Sequence, residues 1–332
     1  TDSRPAGDEA GRDAMKTKKT DMGAAAVLAA EGLCMRYGAA EVLHGVGFRA
    51  EHGEVLCLLG PNGAGKTTTI EILEGFRMRS AGQVEVLGTD PAHGDERWRA
   101  RIGIVLQSWR DHGKWRVREL LAHLGSFYAC YGTDLVARPW DTDALMAAVG
   151  LAGLADRKIR TLSGGQRRRL DLAVGLVGRP DLVFLDEPTA GLDPVARRDF
   201  HDLARGLRAR DATTFVLTTH DLAEAEALAD RILVLDRGRI VADGTAAGLA
   251  RQIAGRDEVR WTRAGRGYRE STADSTAFAR RLFQEHGDAV ENLEIRRASL
   301  EDTYLALVRH AEAAGESEAA GPAAAARGEA VR

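Results

Sequence analysis

A chain of 332 residues with 46 basic and 49 acidic side chains carries a formal charge of −3, which excludes the strongly basic balance expected of a nucleic-acid binder. The length suits about two domains, and the three widely spaced cysteines Cys34, Cys57 and Cys130 form no CxxC pattern, so neither a disulfide framework nor a zinc site is expected and a reducing cytoplasm fits best. No stretch approaches the roughly 18 apolar residues that cross a bilayer, so a role at a membrane implies a second chain that spans it.

Residues 1–26 are rich in Ala, Gly, Asp, Arg and Lys without periodicity and read as a disordered tail. Lys18 and Lys19 ahead of the run Ala24 to Ala30 resemble a secretory leader, but Asp21 interrupts a short, alanine-rich segment and the next residues already read as a strand. From Val27 to Gly248 apolar runs alternate with amphipathic stretches. The runs at 55–59, 102–106, 182–185, 214–218 and 232–235 predict a mainly parallel sheet flanked by helices.

The first of those runs leads into Gly60-Pro61-Asn62-Gly63-Ala64-Gly65-Lys66-Thr67, an unbroken GxxxxGK[ST] phosphate-binding loop. A strand that delivers a glycine-rich loop onto a helix start aims backbone N–H groups, and the positive end of the helix dipole, at an anion. Lys66 is expected to reach the terminal phosphates and the Thr67 hydroxyl to ligand Mg²⁺, which makes the chain a binder of nucleoside triphosphate. Six lysines stand against forty arginines, and three of the six lie in the N-terminal tail, so lysine at 66 is a chemical choice: a compact ammonium fits this cradle and a planar guanidinium does not.

Between 108 and 162 the strand signals give way to helical spacing, as in Val117, Leu120, Leu121 and Leu124, then Leu145, Val149 and Leu151, which predicts an all-helical insertion. Within it, Trp109 and Trp115 among charged neighbours suit either an interface anchor or core packing. Leu162-Ser163-Gly164-Gly165-Gln166 then offers a serine hydroxyl, flexible N–H groups and a helix start, a second anion site without a lysine. Ser163 reads equally as a plain helix cap, and both readings can hold. The run ending at Leu185 delivers Asp186 and Glu187, the pair of carboxylates that phosphoryl transfer needs for its metal and its water. After 248 comes a shorter α/β segment, with strands near 258–262 and 292–296 and helices near 276–286 and 299–311, followed by an Ala/Glu/Gly tail at 311–332.

In this order the motifs resemble the ATP-binding subunit of an ABC transporter, over residues 30 to 245. The resemblance implies a P-loop NTPase (ABC ATPase) core at 27–248 with the helical subdomain at about 108–162, and a small C-terminal α/β accessory domain at 249–310. It assigns nucleotide contacts to the loop from Gly60 through Thr68, adenine stacking to Tyr37, and Mg²⁺ to Thr67, Gln107 and Asp186. Catalysis is carried by Glu187, His220 and Gln107, with His220 on the terminal phosphate. Ser163, Gly164, Gly165 and Gln166 are implied to close over ATP held by a second copy, and Gly191-Leu192-Asp193, with Asp193 among the nucleotide contacts, to be the loop through which partners communicate. The implied cofactors are ATP and Mg²⁺. The implied partners are a paired ATPase subunit and a separate transmembrane permease, which places the chain on the inner face of the cell membrane.

The run Ser299-Leu300-Glu301-Asp302-Thr303-Tyr304-Leu305-Ala306-Leu307 resembles the ending of the drug, antibiotic and lipid exporter branch, where Phe is usual at the position of Tyr304. Export of a hydrophobic or amphipathic compound is therefore the leading expectation. A non-transport ABC ATPase on ribosomes or DNA, or an importer ATPase, remains open at this stage.

Overall fold

Along the central strands of this chain, alternate side chains feed two different cores. The computed structural model describes residues 26–106, 112–134, 136–211, 213–250 and 257–296. The strands Val55–Leu59 (β3), Leu182–Asp186 (β6), Thr214–Thr219 (β7) and Arg231–Asp236 (β8) are almost wholly buried and near-continuously apolar, as parallel strands covered on both faces must be. With Ile102–Val105 (β5) and Arg239–Gly244 (β9) they form one sheet in the order β5-β6-β7-β3-β8-β9, all pairs parallel except β8 with β9. Five of its strands fall on the five apolar runs read from the sequence.

Because side chains alternate across a sheet, Cys57, Val183, Leu185, Phe215, Leu217 and Val234 face one core while Leu56, Leu58, Phe184, Val216 and Leu233 face the other. The first core is closed by helices: Val117–Ser126 (α3), Thr142–Ala148 (α4), Gly164–Leu176 (α5), Pro194–Asp211 (α6) and Leu222–Leu228 (α7). The second is closed by Lys66–Leu73 (α1), by Trp98 of the short helix Glu96–Arg99 (α2), and by an antiparallel sheet that the apolar runs alone did not predict. That sheet comprises Ala26–Tyr37 (β1), Ala40–Glu51 (β2) and Ala81–Val86 (β4), in the order β2-β1-β4. Several register shifts between β1 and β2 break the strict alternation that would have announced the hairpin.

Between β5 and β6 the described residues carry helices, short turns and an isolated bridge of Arg116 with Lys158, and their apolar faces merge with α5 into the first core. After Ala246–Leu249 (α8), residues 257–296 form a separate antiparallel sheet of Asp257–Arg263 (β10), Arg266–Thr272 (β11) and Glu291–Arg296 (β12), with Ser275–His286 (α9) laid on it. Its small core centres on Val259, Trp261 and Leu282, with Tyr268 stacked on Trp261 at 5.4 Å. Strand β11, Arg-Gly-Tyr-Arg-Glu-Ser-Thr, is too polar to announce itself, and its pairing with β10 rather than its composition makes it a strand. The predicted helix and exporter-like run at 299–311 lie outside the described residues.

Candidate active site

Three adjacent strands, β6, β7 and β3, end at the same edge of the sheet, and each delivers one piece of chemistry there. In open α/β sheets this carboxyl edge is where ligands bind. From β3 comes the phosphate loop. Gly60 is obligatory by contact: a Cβ there would lie 2.2 Å from the Leu235 carbonyl oxygen. Gly65 opens α1 at φ +105°, a backbone state that L side chains rarely adopt, with Leu43 packed close against it. Behind Gly65 the ammonium of Lys66 is buried and donates to the carbonyls of Gly60 at 2.8 Å and Pro61 at 3.2 Å. Burial pushes the Lys66 pKa below the usual lysine value, against the opposing pull of Glu187 and Asp186. Thr67 is exposed at the start of α1 and Thr68 half-buried behind it.

From β6 come the two carboxylates. The Thr218 hydroxyl of β7 donates to Asp186 Oδ1 at 2.6 Å and accepts from the Glu187 amide at 3.1 Å, so one side chain fixes both neighbours. Thr218 was read from the sequence only as part of a strand. A hydroxyl-bearing pair, Thr218 and Thr219, at the buried end of a strand after Phe215, Val216 and Leu217 was the signal available. Glu187 holds φ at +44°, uncommon for a residue other than glycine. Its Oε1 stands 3.7 Å from Lys66 Nζ and accepts from the ring N–H of His220, Nδ1, at 3.1 Å. The structure thus brings Gly60, Lys66, Asp186, Glu187 and His220 into one constellation. The oxygens of Thr67 and Asp186 are a hard donor set that fits Mg²⁺.

Ser163, Gly164, Gly165, Gln166 and Asp193 gather at a second place. Ser163 caps α5 in a full capping box: its hydroxyl accepts from the Gln166 amide at 3.3 Å and its own amide donates to the Gln166 side chain at 3.1 Å. Ser163, Gly164, Gly165 and Gln166 line a cavity of about 510 Å³ shared with Gly191 and Asp193, whose carboxylate accepts from the amides of Val195 and Ala196, both at 2.9 Å. No side chain of the lysine constellation lines this cavity. Tyr37 closes β1, half exposed, with the Arg77 guanidinium 5.0 Å from its ring centre. Gln107 and Trp109 lie outside the described residues; Trp115 packs against the first core and between the rings of His112 and His123, at 5.4 and 5.1 Å.

The ABC transporter family profile matches residues 43–190. The chain is 40% identical over 224 residues to the Nod factor export ATP-binding protein I of Ralstonia nicotianae, covering 67% of this chain and 68% of that protein. It is 35% identical over 309 residues to the daunorubicin resistance ATP-binding protein DrrA2 of Streptomyces coeruleorubidus, covering 85% of this chain and 94% of that one. Among solved structures, the ADP conformation of an ATP-binding cassette of an ABC transporter superposes with a TM-score of 0.59 at 26% identity, over 66% of this chain and 91% of the other. With a phosphate loop, paired carboxylates and a histidine gathered at one sheet edge, and with these relatives, the chain belongs to the ABC transporter family, among its ATP-hydrolysing subunits.

Proposed function

We propose that two copies of this chain pair head to tail around two ATP molecules and that their cycle of closure and hydrolysis drives export of a hydrophobic or amphipathic compound through a separate membrane permease. The similarity to export and resistance ATP-binding proteins supports the direction and the class of cargo. Among the described residues no helix is long and apolar enough to cross a membrane, which fits a division of labour between this chain and a permease. On this reading the chain works at the cytoplasmic face of the membrane. Residues 27–248 are the motor, with a helical subdomain at about 108–162, and residues 249–310 are an accessory domain. Trp115, with Trp109 ahead of it, is assigned to the permease contact.

Lys66 exchanges its two loop carbonyls for oxygens of the terminal phosphates, and the amides from Gly60 to Thr68 wrap the rest. Thr67, Asp186 and Gln107 would hold Mg²⁺, which when bound draws negative charge off the phosphates. Glu187 orients and deprotonates the attacking water, while His220, hydrogen-bonded to Glu187, holds the terminal phosphate. Tyr37 stacks on the adenine. Ser163, Gly164, Gly165, Gln166 and Asp193 meet the nucleotide held by the partner copy. The position of Glu187 between an ammonium and an imidazole carries the hydrolytic assignment.

Glu187→Gln keeps the shape and removes the base. ATP binding is expected to survive while turnover falls by about 10²- to 10⁴-fold, the range general-base catalysis supplies, and ATP-bound dimer accumulates on size-exclusion chromatography. A variant that hydrolyses ATP at the parent rate removes Glu187 from this role.

A further inference from the structure

We infer that Arg168 is a positioning residue that ties the Ser163 end of α5 to the catalytic turn of its own chain, so that nucleotide contact at Ser163 sets the placement of Glu187. The inference rests on the reading of Ser163 as the surface that meets the partner's ATP. Arg168 lies five residues after Ser163 on α5 and is 6% exposed. A guanidinium has five N–H donors in a rigid fork, and here they reach carbonyls from two strand ends. Nη1 donates to Leu106 at 2.7 Å, directly before Gln107. Nη2 donates to Asp186 and to Glu187, each at 3.3 Å, and Nε donates to Pro188. Asp171, one turn further along α5, sets its Oδ2 3.7 Å from Nη1 and balances the charge of the fork.

Arg168 thereby bonds both the strand end ahead of Gln107 and the turn that carries Asp186 and Glu187. A buried cation satisfied by four carbonyls cannot slide past them: when α5 shifts, either the fork moves the turn with it or several charge-assisted bonds break together. Glu187 is already held at φ +44°, so its side-chain direction depends on the backbone that Arg168 grips. A lysine would deliver charge to the same place as a point and could not span four peptide groups.

A double-mutant cycle tests this on the full chain, with steady-state ATP turnover as the readout and a fluorescent ATP analogue reporting binding. Arg168→Gln is expected to lower kcat by up to about a hundredfold, as a misplacement near 1 Å does, with KM and analogue affinity changed by no more than about twofold. Ser163→Ala lowers kcat as well. The two losses fail to multiply, because once the link is cut the state of Ser163 no longer reaches Glu187. Arg168→Lys does not rescue, and the Hill coefficient for ATP falls towards one in each Arg168 variant. Should Arg168→Gln fail to fold, Asp171→Asn loosens the same fork from within α5 and takes its place in the cycle. Multiplicative losses, or an unchanged kcat in Arg168→Gln, overturn the inference while leaving Ser163 in its role. An unchanged kcat in Ser163→Ala overturns both.

Discussion

Glu74 is a buried carboxyl at the end of α1, close enough to the reaction centre to feel its charge. Burial, then the charges of Asp186 and Glu71, push its pKa from 4.5 up to about 8. The neutral form keeps one more negative charge away from Asp186 at physiological pH. Because the folded chain binds this proton more tightly than the unfolded chain does, the stability it contributes is fully present below a pH of about 4.5 and is lost as the pH rises through about 8, by up to roughly 5 kcal/mol. Glu74→Gln fixes the uncharged state. Urea midpoints measured at several pH values should fall less steeply for the variant than for the parent across that window. Parallel curves would show that Glu74 does not titrate there.

At the scale of elements, α6 and α7 meet through an unusual pair. His201 Nε2 and Glu224 Oε1 face each other at 3.8 Å with 7% and 2% of their residues exposed, and neither atom has a hydrogen-bond partner among the described residues. Removing one member of a buried polar pair leaves the other facing an apolar side chain, which costs about 1–3 kcal/mol, whereas replacing both by apolar groups of similar shape is near neutral or stabilising. His201→Leu should therefore lower the unfolding free energy by that amount, and His201→Leu with Glu224→Leu should restore most of it in chemical denaturation. Nothing in the sequence announced this contact, since a lone His and a lone Glu on two amphipathic helices read as surface. The same limit hid Arg168, one arginine among forty in the chain. What was legible were features whose physics is local: runs of buried strand, the glycines of the phosphate loop, the Ser163 cap and the Asp186-Glu187 pair. Strands β2, β4 and β11 were not, because their partners, set far off or by irregular register, decide their state.

For the whole molecule, the separation of the Ser163 cavity from the Lys66 constellation within one chain makes pairing testable without a structure of the pair. Lys66→Ala disables the loop, and Ser163→Asp preserves a good helix cap while setting a carboxylate against phosphate. Each variant alone should be inactive. Mixed in equal amounts, random pairing gives about half mixed dimers, each with one undamaged site, so turnover should recover to about a quarter of the parent rate. Placing both changes in one chain and mixing it with parent chain creates no undamaged site in the mixed dimer, which supplies the control.

The sheet that holds this chemistry is also a ruler. Asp186 pairs in register with Thr218, and Leu59 with Thr219, so the phosphate loop, the carboxylates and His220 are spaced by strand pitch rather than by loop length. One residue gained or lost inside β7 would slide His220 by about 3.3 Å and turn Phe215, Val216 and Leu217 to the wrong cores. The same gain or loss in the connections at 87–101 or 129–141 leaves those spacings untouched. Lineages descended from this chain are thus free to vary in length where it turns and are held to a fixed count where it is straight.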